Sequence, residues 1–163
     1  MRILGIDPGI GRLGWGMIEK NGKRIRARRY GHIETPKNTE KPGRLLTIYR
    51  ELTKTVRELK PDQIAVEELF FSKNVTTAMS VAEARGVVLL VAGEANIPVV
   101  TFSPMSVKSA LGFGGAKKKQ VEAMVKMLLG IKDKFVYDDV ADALAVAICA
   151  AQSLGSDRLK TKS

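Results

Sequence analysis

Cysteine and histidine are almost missing from this chain of 163 residues, which carries one of each, Cys149 and His32. A single cysteine excludes an internal disulfide and any cysteine-rich zinc site. Cys149 sits within V-A-D-A-L-A-V-A-I-C-A-A and reads as a small apolar packing residue. A single histidine cannot build a histidine metal cluster, so His32 is expected to be structural or on the surface. Long apolar runs are lacking too. The longest, Val87 to Gly93, is far too short to span a bilayer, and no signal peptide is expected before the first strand. A cytoplasmic, reduced setting follows. With no low-complexity linker and no internal repeat, one domain over residues 1–163 is expected, with a core at 1–152 and a flexible basic tail at 153–163.

What is present in excess is positive charge: 27 basic against 17 acidic residues, a net charge of +10 and a pI near 9.9. Such a surplus in one domain favours a polyanionic partner, nucleic acid first and an anionic membrane second. The 45% of hydrophobic residues suffices for a core without staples.

The pattern along the chain predicts strands at Arg2 to Asp7, Leu13 to Glu19 and Arg24 to Glu34, joined by short turns as an antiparallel meander. The period then changes to that of a helix. Leu45, Leu46, Ile48, Tyr49, Leu52, Val56 and Leu59 share a face, and Lys60-Pro61-Asp62 ends it. A strand at Gln63 to Leu69, a long helix at Val75 to Ala95 and a strand at Pro98 to Phe102 follow. Helices are then expected at Met105 to Leu111, Lys118 to Leu129 and Asp139 to Leu154. The order predicts an α/β fold with a mixed five-stranded sheet flanked by helices, its first three strands antiparallel and the later ones parallel to the first.

Acids stand at the ends of these elements. Asp7 closes the first strand in I-L-G-I-D-P-G, where ends of strands gather sites, although an Asx turn accounts for it equally well. Glu67 and Glu68 close I-A-V, and strand alternation lets only one of them share a face with Asp7. In Y-D-D-V-A-D-A-L-A, the spacings of Asp139 and Asp138 to Asp142 each place two carboxylates on one side of a helix start. An N-cap or first-turn role explains Asp138 or Asp139, but not Asp142 within its Ala/Leu/Val stretch. Carboxylates brought together repel, and hard divalent cations relieve that repulsion. Two such ions about 3.5–4 Å apart activate water and stabilise the leaving oxygen in phosphodiester cleavage. A basic surface then holds the substrate.

Gly9-Ile10-Gly11-Arg12-Leu13-Gly14 formally matches the dinucleotide fingerprint G-x-G-x-x-G. That loop should open a helix, whereas L-G-W-G-M-I-E reads as a strand, so the match is accidental. The glycines are expected instead to tighten a hairpin turn and leave room for a DNA backbone near the strand end. Ser103 to Val121, with its glycines and Lys117-Lys118-Lys119, suggests phosphate contact, or simply a solvated lysine run. It holds no G-K-[ST] and is not a Walker A motif.

L-G-I-D-P-G with the downstream G-W-G, A-V-E-E-L-F-F-S-K-N, A-R-G-V and D-D-V-A-D-A-L-A-V-A-I resemble the RuvC family of Holliday-junction resolvases, from residue 1 to about residue 152. The resemblance implies a ribonuclease-H-like fold, a homodimer, and Mg²⁺-dependent symmetric nicking of four-way DNA junctions with two ions per site, Mn²⁺ substituting. It implies Asp7, Glu67, Asp139 and Asp142 as catalytic, metal-holding acids, leaving Glu68 and Asp138 as neighbours. At the position of Asp139 the family varies between Asp and His. It also implies that Lys108 and Lys118 lie near the scissile phosphate, with Lys117 and Lys119 on the backbone more generally. Phe70 is implied to stack on bases at an opened crossover, and a branch-migration complex of the RuvA and RuvB type to be a partner. Part of the helix at Val75 to Ala95 is the expected dimer interface, since two-fold symmetry suits a substrate with equivalent strands. The alternatives are a ribonuclease-H-like nuclease acting on RNA, a non-catalytic junction-binding module, and an actin- or sugar-kinase-like ATPase. The last needs two such domains, more than 163 residues supply.

Overall fold

The computed structural model describes residues 1–69, 75–112, 118–135 and 137–160, with the side chains of Val75, Lys118 and 155–160 left out. Phe70 and Lys117 lie outside the described residues. The element order is β1 (Arg2–Asp7), β2 (Arg12–Asn21), β3 (Arg24–Glu34), α1 (Lys41–Leu59), β4 (Gln63–Glu67), α2 (Val75–Glu94), β5 (Val99–Phe102), α3 (Pro104–Ala110), α4 (Lys118–Leu129) and α5 (Asp138–Lys160). The expected meander and the later parallel strands are both present. The sheet runs β3-β2-β1-β4-β5, with β1, β2 and β3 antiparallel and β4 and β5 parallel to β1 and to each other.

Strand periodicity divides the core into two layers. Leu4, Ile6, Leu13, Met17, Ile64 and Val66 point to one face, where Ile48, Leu52 and Val56 of α1 and Ala84, Val88, Val91 and Ala92 of α2 cover them. The spacing of Ile48, Leu52 and Val56 is the i, i+4 stripe the sequence predicts, although Leu46 is exposed. Lys60 then takes a left-handed conformation, φ 49°, and its N–H caps the Val56 carbonyl ahead of Pro61. On the opposite face Ile3, Ile18 and Ala65 meet α5, with α3 and α4 packed outside it. A register shift opposite Met17/Ile18 inverts the alternation of β3. Ile25 and Ala27 before the shift, and Tyr30 after it, all pack on the α5 side.

Two differences from the sequence reading matter. The strand expected to reach Leu69 stops at Glu67, and α5 continues to Lys160 rather than Leu154. The short apolar run Val87 to Gly93 also belongs to a helix whose Thr76–Glu94 segment, mean hydropathy 1.2, is long and apolar enough to cross a bilayer. Only 22% of the 18-residue window is buried. Its middle nonetheless carries Glu83, ion-paired with Lys41 at 3.1 Å, and Arg85, which donates to Thr101 Oγ1 at 3.4 Å. Each charge would cost about 2.5–3.5 kcal/mol at a bilayer centre on insertion scales. Those charges and the sheet contacts of Ala84 and Val88 argue for a helix laid on the sheet with one apolar stripe left open.

Candidate active site

Parallel pairing of β1 with β4 ends at Ile6↔Val66, so Asp7 and Glu67 are the next residues on adjacent strands. Alternation sends both toward α5, the face of Gly5 and Ala65, and turns Glu68 away. Of the two alternatives at the end of β4, Glu67 is therefore the one that joins Asp7. Asp142 arrives from the first turns of α5. The three line one cleft of about 390 Å³, with Lys108 on its wall.

What brings α5 so near is a set of glycines. A Cβ on Gly5 would lie 2.0 Å from the Ala143 carbonyl oxygen, and one on Gly14 would lie 2.0 Å from that of Asp139. At Gly16 the Leu144 side chain would stand at 2.4 Å. The sequence reading of the glycines does not foresee this close approach. Gly9 does serve the turn, where a Cβ would meet the Arg12 carbonyl oxygen at 2.4 Å. Gly14 and Gly16, farther along the second strand, instead admit α5 where a side chain would stand. The fingerprint reading fails as expected, because Arg12 opens β2 and not a helix.

Lys108 is positioned by a short helix with an explicit start. Ser103 Oγ accepts the Ser106 N–H at 3.1 Å and Pro104 occupies the first turn. Lys119 is exposed on α4, and Lys118 begins that helix. Burial holds the Glu67 carboxyl above its ordinary range, the Asp142 carboxylate adds to the rise, and Lys108 opposes it. A site with that imbalance favours an added cation.

Asp139 stands apart from this cleft. It lines an adjoining hollow of about 280 Å³ with Arg12, Glu34, Thr35 and Arg44. Arg12 Nη1 donates to Asp139 Oδ2 at 3.0 Å, and this bond is the main reason the guanidinium is held more firmly protonated than usual. The guanidinium carbon lies 3.5 Å from the centroid of the Tyr137 ring, and His32 meets that ring edge-on at 4.6 Å. His32 thus packs against Tyr137, the first of the two roles expected for it, and Cys149 is buried. Sequence reasoning misses Arg12 and Tyr137. Local sequence marks neither, since Arg12 and Asp139 are 127 positions apart.

Among the described residues, no three acids or histidines form a ready-made metal-binding group. The donors fit a hard divalent cation all the same: they are oxygens, and Mg²⁺ keeps waters and takes one or two carboxylates plus substrate phosphate.

Three comparisons bear on this site. A family model described as crossover junction endodeoxyribonuclease RuvC matches residues 3–150. The chain is 49% identical over 155 residues to the crossover junction endodeoxyribonuclease RuvC of Desulfitobacterium hafniense, covering 94% of each. It is 50% identical over 155 residues to that of Heliobacterium modesticaldum, covering 94% of this chain and 96% of the other. Among solved structures it is similar to Thermus thermophilus RuvC in complex with Holliday junction substrate, at 35% identity and TM-score 0.88 over 96% of both chains. A fowlpox virus resolvase bound to junction DNA, 17% identical with TM-score 0.62, shares the fold.

Proposed function

Because the chain belongs to the RuvC family of crossover junction endodeoxyribonucleases, we propose that it resolves four-way DNA junctions in recombination and repair by paired, symmetric, metal-dependent nicks. The observation that carries this reading is the meeting of Asp7, Glu67, Asp142 and Lys108 in one cleft of a chain with net charge +10. Three separated segments deliver those carboxylates to one strand-end cleft, which a core-packing role does not require.

Asp7, Glu67 and Asp142 would hold Mg²⁺, or Mn²⁺ in its place, with Asp139 as a fourth ligand. When bound, two such ions activate a water and neutralise charge on the leaving oxygen. The chain's own part is positional. Lys108 draws the scissile phosphate to the cleft by charge, and Lys118 at the start of α4 is assigned the same task. Lys117, Lys119 and the basic surface hold the junction arms, and Phe70 stacks on bases at the crossover.

Symmetric nicking needs two sites, and α2 supplies a surface for a homodimer. Met79, Gly86, Leu90 and Gly93 lie along one side of that helix. Met79 and Leu90 are exposed, and a Cβ on either glycine would meet nothing within 4 Å. A second copy laid along this stripe would bury it. The reading further places the protein in the cytoplasm beside a branch-migration complex of the RuvA and RuvB type.

The test is to incubate the protein with synthetic four-way junctions, linear duplex and an RNA–DNA hybrid, with Mg²⁺ or chelator. The expected result is paired nicks in the junction alone, abolished by chelation and by Asp7→Asn while junction binding survives. Cutting of linear duplex or hybrid at a similar rate, or full activity of Asp7→Asn, rejects the assignment.

A further inference from the structure

Asp139, one of the proposed ligands, is engaged by a strong cation of the chain itself. Its partner Arg12 is held from three sides. Asp139 accepts from it at 3.0 Å, the Tyr137 ring lies under the guanidinium at 3.5 Å, and Glu34 Oε1 is 3.8 Å from Nη2. Gly14, two residues along β2, lies close against the Asp139 backbone, so the start of α5 is fixed and only the two side chains are left to move. A divalent cation recruiting Asp139 must therefore take it from Arg12.

We propose that Arg12 is a positioning residue that competes with the divalent cation for Asp139, a latch holding this carboxylate beside the metal cleft until the cation draws it in. The inference rests on the reading of Asp7, Glu67, Asp139 and Asp142 as metal ligands. Three features make release feasible. The pair is partly exposed, Arg12 at 32% and Asp139 at 29%, and ion pairs of such exposure are weak. Arg12 Nε is buried with no hydrogen-bond partner among the described residues, so the latched state leaves one donor unsatisfied. Glu34, paired with Arg12 across the strands, offers the freed guanidinium a second carboxylate, and Tyr137 keeps its place beneath it. The latched geometry also explains why Asp139 lines the neighbouring hollow while the other three acids share the cleft.

The test uses Mn²⁺ alone, titrated into the full chain without DNA and followed by electron paramagnetic resonance. Thermal melts verify that each variant is folded. Arg12→Gln should bind Mn²⁺ roughly three- to fivefold more tightly than the parent, the scale expected for a partly exposed pair. Arg12→Lys, which keeps the charge but loses the stacked fork, should fall between. In an Asp139→Asn background, Arg12→Gln should change nothing. Unchanged or weaker Mn²⁺ binding by Arg12→Gln overturns the latch, as does a gain that persists without the Asp139 carboxylate. Should Mn²⁺ binding be indifferent to Asp7→Asn, the metal-site reading fails and the latch with it. Normal dependence on Asp7 with no response to Arg12 overturns the latch alone.

Discussion

Against one face of the sheet, Leu4, Ile6, Ile64 and Val66 meet the side chains of Ile48, Leu52 and Val56 from α1. Against the other, Gly5 and Gly14 meet the backbone of α5 itself. Side chains can change rotamer and refill small gaps, so the first contact sets stability more than position. A carbonyl against a Cα has no such freedom. The second contact fixes where α5 lies, and that helix carries Asp142 to the cleft of Asp7 and Glu67 and Asp139 to the adjoining hollow. The face with the smallest residues therefore carries the chemistry.

The strongest way to break this comparison is Gly14→Ala, whose new methyl would lie 2.0 Å from the Asp139 carbonyl oxygen and 2.3 Å from its carbon. We expect a loss of about 3 kcal/mol, toward the upper end for overpacking. The N-terminus of α5 should also move enough to abolish nicking in the protein that remains folded. Leu52→Ala, in the opposite layer, should cost a similar amount, about 3 kcal/mol by cavity formation, and leave the nicking rate per folded molecule unchanged. Chemical denaturation read beside single-turnover cleavage separates the two. Equal activity losses in both variants would mean that the faces do not divide position from stability.

A smaller effect is expected at the open stripe of α2, where Leu90 is 55% exposed. Leu90→Glu should shift sedimentation from dimer to monomer and suppress paired nicking, while the protomer's stability stays within about 0.5 kcal/mol. A monomeric parent, or a variant that still dimerises, removes α2 as the interface.

These layers were unequally legible in the sequence. Period-two alternation was enough to exclude one of Glu67 and Glu68 from the face of Asp7, because parity along a strand is local. The i, i+4 spacing at Ile48, Leu52 and Val56 and the stop at Lys60-Pro61 were equally local. Gly14 and Gly16 read only as members of a strand because a glycine does not announce what will approach it. Their true neighbour lies about 125 positions on, and only the tertiary packing of α5 reveals it. Arg12 escapes notice for the same reason. Spacing offers Asp138 or Asp139 and the resemblance chooses Asp139, but neither hints that a guanidinium holds it.

The smallest expected effect tests the electrostatics of the cleft directly. Burial, then Asp142, raises the Glu67 carboxyl above its reference value of 4.5, with Lys108 only partly compensating. Below that value the residue is protonated in both the unfolded and the folded chain, and its charge costs nothing. As pH rises through it, the unfolded chain gives up the proton first. The native state is then increasingly penalised until its own, higher pKa is passed. In chelator at neutral pH, Glu67→Gln should therefore melt higher than the parent, by about 1–2 °C given the solvent that still reaches the group. The difference should vanish near pH 4. Saturating Mg²⁺ should reverse the order, because the parent alone keeps the carboxylate that gains stability from cation binding by mass action. A Glu67→Gln variant that melts lower in chelator would show that Lys108 outweighs burial and Asp142, and that the cleft needs no cation to settle its charge.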